Sequence, residues 1–373
     1  MNKIHIIVFL VIFTIAGLFC SCSNDGNGDK NGGKYIMDMA GRKVWVPDNV
    51  ERILCKGPGT LRFITYLQAT DKVIGIEGGF EKKSAKGRPY RIAHEELTAL
   101  PTIGTAGPSP QADSEAVLQA GPDVVFISYA EGRIVRNLQD RTGIPVVVLD
   151  PGPLGELDPK SVFQSLELAG NILGKEERAQ KVIEFIKATE HELKQRVKKL
   201  SQQDKSRVYV GGLAYKGSHG ITSTQVNYPG FELLDLNNVA GEISQPGHIS
   251  VSKEKILQWN PDLIFIDGGG LELILTDYQK NPQFYKSLKA VENNQLHVLL
   301  PYNYYTTNIG SALANYFYIG KVLYGSAFED INPAAKAERI YSFLVGKGVF
   351  KQMQKDYSGF KKLDFQEIIH GKN

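Results

Sequence analysis

The sequence predicts an α/β protein of two lobes, each a mostly parallel sheet with helices packed on its faces. Three observations carry this. Short apolar runs alternate with amphipathic segments from Arg52 onward, the alternation restarts after residue 205, and one helix–turn–strand unit occurs in each half. That unit spans Ser114 to Ile127 and again Lys253 to Ile266: a short helix opening on a glutamate, a Pro-Asp turn and a buried apolar strand. Roughly 340 residues follow Tyr35, more than a single hydrophobic core usually serves.

The N-terminus is set apart from this body. Met1 to Lys3 give a basic start, Ile4 to Phe19 an apolar run broken only by His5 and Thr14, and a polar tract follows, the layout of a secretory signal peptide over residues 1–21. The run is shorter than the roughly 20 residues a bilayer core requires, so a membrane span is not expected. Cys20 and Cys22 close it. Phe19-Cys20-Ser21-Cys22 resembles a bacterial lipobox with Ser21 before the cut, which makes Cys22 the expected lipidated N-terminus and membrane anchor. Residues 22–34 then read as a tether, since Ser23 to Lys34 contain no apolar residue with which to recover ordering entropy.

Within the body, Ile53 to Cys55 read as the first buried strand, followed by Gly57-Pro58-Gly59 and a helix over Leu61 to Leu67. Val73 to Ile76, Val124 to Ile127 and Val146 to Leu149 supply further strands of a lobe over residues 35–157. A helical stretch runs from Pro159 to Leu200 with a stop at Gly174, and residues 158–175 are taken as the segment between lobes. The second lobe, residues 176–373, has strands at Val208 to Val210, Leu263 to Ile266 and Leu296 to Leu300. Past the signal end only Cys55 remains, which excludes an internal disulfide framework and reads as a small apolar residue in a buried strand. A net charge of +3 gives no nucleic-acid footprint.

Four pieces resemble one known family. Asp38 to Pro47 looks like its opening hairpin, Glu51 to Leu54 with Thr70 to Ile76 like its first strand, helix and second strand, and the two Glu-to-Pro-Asp units complete the set. The family is the helical-backbone (class III) periplasmic substrate-binding proteins that feed ATP-driven importers of iron siderophores, haem and vitamin B12. The resemblance implies two Rossmann-like lobes joined by a single long helix, with ligand in the cleft between them and small closure on binding. It further implies a monomer that docks on an ABC permease dimer with cytoplasmic ATPase subunits through one glutamate per lobe. By motif position these are Glu115 and Glu254, although each also suits the first turn of a helix electrostatically.

Ligand contacts are sought in loops after strands, which open on the cleft in such sheets. Gly211 to Thr224 follows the strand at Val208 to Val210, and there Tyr215, Lys216, His219 and Thr222 offer a phenol, a cation, an imidazole and a hydroxyl to an anion. Tyr302, Tyr304 and Tyr305 follow the strand ending at Leu300 and suit a bulky ligand or direct iron ligation. Arg62 and Tyr129 complete the set from the first lobe, with Arg62 as an anion anchor. His248, just before the Glu254 helix, is within reach of the cleft but is not counted among the expected contacts, and His94, His191 and His370 read as surface groups.

No His-Glu-x-x-His, Gly-x-Ser-x-Gly or phosphate-loop motif occurs, so the chain reads as a binder and not an enzyme, with no intrinsic cofactor. The ligand expected first is an iron or cobalt chelate, namely a siderophore complex, haem or a corrinoid. The alternatives are a molybdate or tungstate oxyanion on the same clamp, or a surface sensor lipoprotein that transports nothing. Export to the periplasm or the outer face of the cell membrane goes with all of these readings.

Overall fold

A buried ion pair pins the first hairpin to the first sheet. Strands β1 (Gly33–Met37) and β2 (Lys43–Pro47) run antiparallel, and at their turn Asp38 takes the Arg42 guanidinium at 2.6 Å and the Val148 backbone N–H at 3.1 Å. In this computed structural model the described residues are 32–79, 82, 84–105, 113–153, 158–198, 200 and 206–365. The expected signal peptide, Cys20, Cys22 and nearly all of the expected tether lie outside them.

The first lobe follows in strict alternation: β3 (Ile53–Lys56), α1 (Thr60–Tyr66), β4 (Val73–Gly78), α2 (Pro89–Ala93), β5 (Thr102–Thr105), α3 (Ser114–Ala120), β6 (Val124–Ile127), α4 (Gly132–Thr142) and β7 (Val146–Val148). Its sheet has the order β5-β4-β3-β6-β7 and is parallel throughout. β3, β6 and β7 are buried along their whole length, as strands covered on both faces must be. Cys55 is buried in β3, as its sequence neighbours predict.

Two helices then join the halves. α5 (Pro159–Leu173), capped by the Asp158 carboxylate and ended by left-handed Gly174, packs against α1; α6 (Glu176–Val197) continues beside it. The second lobe contains β8 (Arg207–Gly211), β9 (Ser223–Gln225), α7 (Pro229–Leu233), β10 (Asn237–Asn238), β11 (His248–Ser250), α8 (Lys253–Trp259), β12 (Leu263–Asp267), α9 (Leu271–Lys280), α10 (Pro282–Lys286), α11 (Lys289–Glu292) and β13 (Leu296–Leu299). After them come α12 (Ile309–Leu323), α13 (Pro333–Val345), α14 (Phe350–Tyr357) and β14 (Lys361–Lys362). Strands β10-β8-β12-β13 are parallel, β14 closes the edge antiparallel, and β9 with β11 forms a separate ribbon.

The lobes repeat each other in detail. β3-β6-β7 and β8-β12-β13 occupy matching places, and α3 and α8 precede the matching central strands. The Pro-Asp turn does the same work in each. The Asp123 carboxylate accepts the Arg52 N–H, and the Asp262 carboxylate accepts the Arg207 N–H, each at 2.8 Å, so each aspartate fixes where the neighbouring strand starts.

The halves are also tied by contacts beyond the connecting helices. α13, late in the second half, packs on α1 and α2 of the first lobe, the His94 ring bonds the Val345 carbonyl, and Arg178 of α6 bonds the carbonyls of Tyr66 and Phe343. A continuous apolar core accordingly runs from Val46 and Ile64 through Leu166 and Ile183 to Leu313 and Ile340. Smaller cores lie under the outer faces of the sheets, around Val117 in one lobe and Ile256 in the other.

Candidate functional site

In a parallel sheet the C-terminal end of each strand opens on one edge. Here three of those ends carry a buried charge. Lys56 ends β3, Glu77 lies near the end of β4 and Asp267 ends β12. Lys56 and Glu77 pair at 2.8 Å, and the Lys56 ammonium also bonds the Thr105 carbonyl. Burial still holds the Glu77 carboxyl above its ordinary range, against the pull of Lys56. Asp267, 1% exposed, accepts the N–H of Gly269 at 2.8 Å and that of Tyr302, while its second oxygen has no hydrogen-bond partner among the described residues. Burial pushes its pKa up to about 7.

The segment 302–308 of the second lobe lies against the first. Arg62, 2% exposed, donates to the Asn308 side chain at 3.1 Å and to the carbonyls of Thr307 at 2.7 Å, Tyr305 at 2.9 Å and Thr306 at 3.2 Å. The Tyr305 hydroxyl donates to Glu77 at 2.6 Å, and the hydroxyls of Tyr129 and Thr306 meet at 3.0 Å. Tyr305 and Thr306 hold left-handed backbone, φ 57° and 62°, which costs a side-chain-bearing residue about 1 kcal/mol or more each. These interlobe bonds fix that conformation. Gly59 permits the approach: with φ 86°, a Cβ there would lie 2.8 Å from the Thr306 methyl.

A second group of side chains surrounds the loop after β8. The Tyr215 ring stacks on His248 at 4.4 Å and 7°, and His219 lies 5.9 Å from His248. His219 Nε2 donates to the Tyr215 carbonyl at 2.8 Å. Ser223 already donates its hydroxyl proton to the Leu213 carbonyl, so His248 Nε2 must donate to Ser223 at 2.7 Å. Both rings therefore carry their proton on Nε2 and leave Nδ1 without a partner among the described residues. Burial, and then the neighbouring His219, lower the His248 pKa. Lys216 is exposed on a tight turn at φ 54°, its ammonium 5.5 Å from the Tyr215 ring. Thr222 is half-buried and ties the loop to β11 through its carbonyl, which accepts the Val251 N–H at 2.9 Å.

The expected site residues thus fall into separate places. Tyr215, Lys216, His219 and Thr222 lie in one loop region, joined by His248. Arg62, expected as an anion anchor, has its donors on carbonyls and an amide of the other lobe. Tyr302, expected on the rim, is buried beneath it, its hydroxyl on Gln225 at 2.7 Å and its ring edge-on to Tyr228. Tyr304 and Tyr305 are half-buried at the lobe junction, Tyr304 near Gly87 and Tyr357, Tyr305 on Glu77. Tyr129 spans the junction, bonding Gly152 as well as Thr306. Lys56, Glu77 and Asp267 did not enter the sequence reading, although each is the charged residue that closes an apolar run: Cys55-Lys56, Ile76-Glu77 and Ile266-Asp267.

Glu115 and Glu254 are exposed in the first turns of α3 and α8. Neither forms an ion pair with a described residue, and hydrogen bonds from its own backbone N–H and from Ser252 hold Glu254 below the usual carboxylate range.

The sequence profile of the periplasmic binding proteins matches residues 65–302. The chain is 25% identical over 338 residues to the molybdate-binding protein MolA of Haemophilus influenzae, covering 85% of this chain and 91% of that protein. Its structure is similar to that of MolA bound to molybdate, with a TM-score of 0.67 at 20% identity over 84% of this chain and 98% of the other. A periplasmic solute-binding protein of Veillonella parvula gives 0.70 at 20% identity over 87% and 97%. The TroA-like protein FepB of the same organism gives 0.62 at 22% identity over 84% and 97%. With two matching α/β lobes meeting at the C-terminal ends of their strands and a family profile over most of its length, this chain belongs to the periplasmic binding proteins, the solute-binding components of ABC importers.

Proposed function

We propose that the chain captures a compact anionic metal compound, molybdate or tungstate, and binds it without catalysis. The observation that carries this reading is the loop after β8, where the exposed Lys216 ammonium, the Tyr215 phenol and His219 lie together with His248 stacked on the Tyr215 ring. The near full-length similarity to a molybdate-binding relative supports it. A second reading, a ferric siderophore, draws on the two Nδ1 lone pairs and the Tyr215 phenol as possible iron ligands.

Proton linkage separates the two. An oxyanion binds imidazolium, so its affinity rises as pH falls through the histidine range; a chelated metal binds neutral imidazole, so its affinity falls. Calorimetric titration of the protein at pH 6 and pH 8 with molybdate, tungstate, ferric siderophores, haem and cobalamin tests this directly. Tight molybdate binding that strengthens at pH 6 supports the oxyanion, and siderophore binding that strengthens at pH 8 replaces it with the chelate. Changing Tyr215, Lys216 and His219 together to Ala should weaken binding by about 100-fold while leaving the fold intact. Unchanged affinity would remove the loop from the site.

Delivery is proposed to follow from Glu115 and Glu254 docking on the permease dimer, with the chain held at the outer face of a membrane through lipidated Cys22 and acting as a monomer. Replacing both glutamates with Arg should leave ligand affinity unchanged and abolish uptake. Uptake at the normal rate would end the docking reading.

A further inference from the structure

Among the described residues five large apolar side chains are exposed: Tyr35, Met37, Leu118, Leu257 and Leu273. Two of the five hold the same position in the repeated unit. Leu118 lies three residues after Glu115 on α3, and Leu257 three residues after Glu254 on α8, so in each lobe a leucine stands one turn along the same helix face as the glutamate. Their exposures are 51% and 38%. Single exposed leucines need no explanation. A carboxylate and a leucine presented together at one register in both lobes are a different matter, because packing does not require either.

The residues around them show why these side chains are outside. Val117 and Ile256, one position earlier, are the buried anchors of the two helices, which turns the next residue away from the core. Both helices are held by side-chain caps, Asp113 in one and Ser252 in the other, and both end on a left-handed residue, Gly121 and Asn260. The neighbouring cations make their contacts elsewhere: Lys253 reaches Asp277 at 2.7 Å and Lys255 reaches Gln258 at 3.2 Å, while Lys253 acts on the Glu254 carboxylate only through its charge.

We infer that Leu118 and Leu257 are the apolar half of the permease-docking surface, each inserting beside a glutamate into one of two equivalent sockets. The inference rests on the docking role proposed for Glu115 and Glu254. A partner that fits must be two-fold symmetric, with a basic group for each glutamate and an apolar recess one helical turn away for each leucine. The importer's permease dimer meets the symmetry requirement, whereas a one-sided partner would engage only one lobe. In this arrangement the carboxylates set attraction and orientation and the leucines set residence time, as apolar anchors do within a polar rim.

The test measures association of the full chain, in detergent, with its cognate permease–ATPase complex held in nanodiscs, at low and high salt. The variants are Leu118→Ser with Leu257→Ser, and Glu115→Gln with Glu254→Gln, each checked for an unchanged melting temperature. The leucine pair should weaken association by about tenfold or more through a faster off-rate, with the salt dependence preserved. The glutamate pair should flatten the salt dependence. If the glutamate pair weakens association but the leucine pair changes it less than about twofold, the leucine inference is overturned and the docking reading stands. If neither pair matters, docking by these helices is wrong and the inference falls with it.

Discussion

Asp267 shows how one residue can tie stability to pH. Its pKa rises on folding, from the ordinary carboxylate range to about 7. The folded state therefore holds its proton more tightly than the unfolded chain. Below about pH 4 both states are protonated and nothing is lost; between there and pH 7 the unfolded chain releases its proton first, so stability falls as pH rises. Asp267→Asn keeps an oxygen for the Gly269 and Tyr302 N–H groups and removes this penalty. The melting-temperature difference between variant and parent should be small at pH 4, grow towards pH 7 and then level off; a flat difference would show that the carboxylate is not buried in this way. Arg62 supports a second residue-scale prediction. Its guanidinium serves acceptors in 304–308, so Arg62→Leu leaves buried carbonyls unsatisfied and should cost about 3 kcal/mol in urea denaturation. Exposed Lys216→Ala should stay within about 0.5 kcal/mol. Read from sequence, an arginine at a helix start beside a glycine-rich turn invites an anion. Only the position of residues 304–308, some 240 positions away in the chain, reveals its acceptors.

At the scale of elements, the caps of α3 and α8 connect local structure to the presentation of Glu115 and Glu254. Asp113→Ala or Ser252→Ala should each cost about 1 kcal/mol, since each removes a side-chain acceptor from an otherwise orphan backbone N–H. Amide exchange should speed up in the capped helix alone, with ligand affinity unchanged; exchange that spreads through the sheet would mean the cap supports the whole lobe. These helices were legible in the sequence because the signal is local: a short helical segment opening on a glutamate, then the Pro-Asp turn and a buried apolar strand. The parallel strands were legible for a related reason, since burial on both faces leaves unbroken runs such as Val124 to Ile127 and Leu263 to Ile266. The ribbon of β9 and β11 carries no such run. Ser223, Thr224 and Gln225 are buried because the loop above folds over them, and His248 enters the candidate site only because β11 pairs with β9.

Across the whole molecule, the core that passes from the first sheet through α5 and α6 to α12 and α13 makes the lobes one cooperative unit. Calorimetry of the body should accordingly show a single transition, and resolved melting of two lobes would contradict the shared core. Ligand binding should change the radius of gyration little, because opening the cleft widely would break the Arg62, Tyr129 and Tyr305 contacts together. Sequence by itself determined the two-lobed α/β class, the matched helix–turn–strand units with Glu115 and Glu254, and the existence of a polar loop with Tyr215, Lys216 and His219 after a strand, all of which rest on residues close together in the chain. Tertiary structure decided that Arg62 and Tyr305 bridge the lobes, that Tyr302 is core, that His248 stacks on Tyr215, and that α13 returns to the first lobe. Those outcomes depend on which distant segment supplies the partner, and local propensity and patterning carry no record of that.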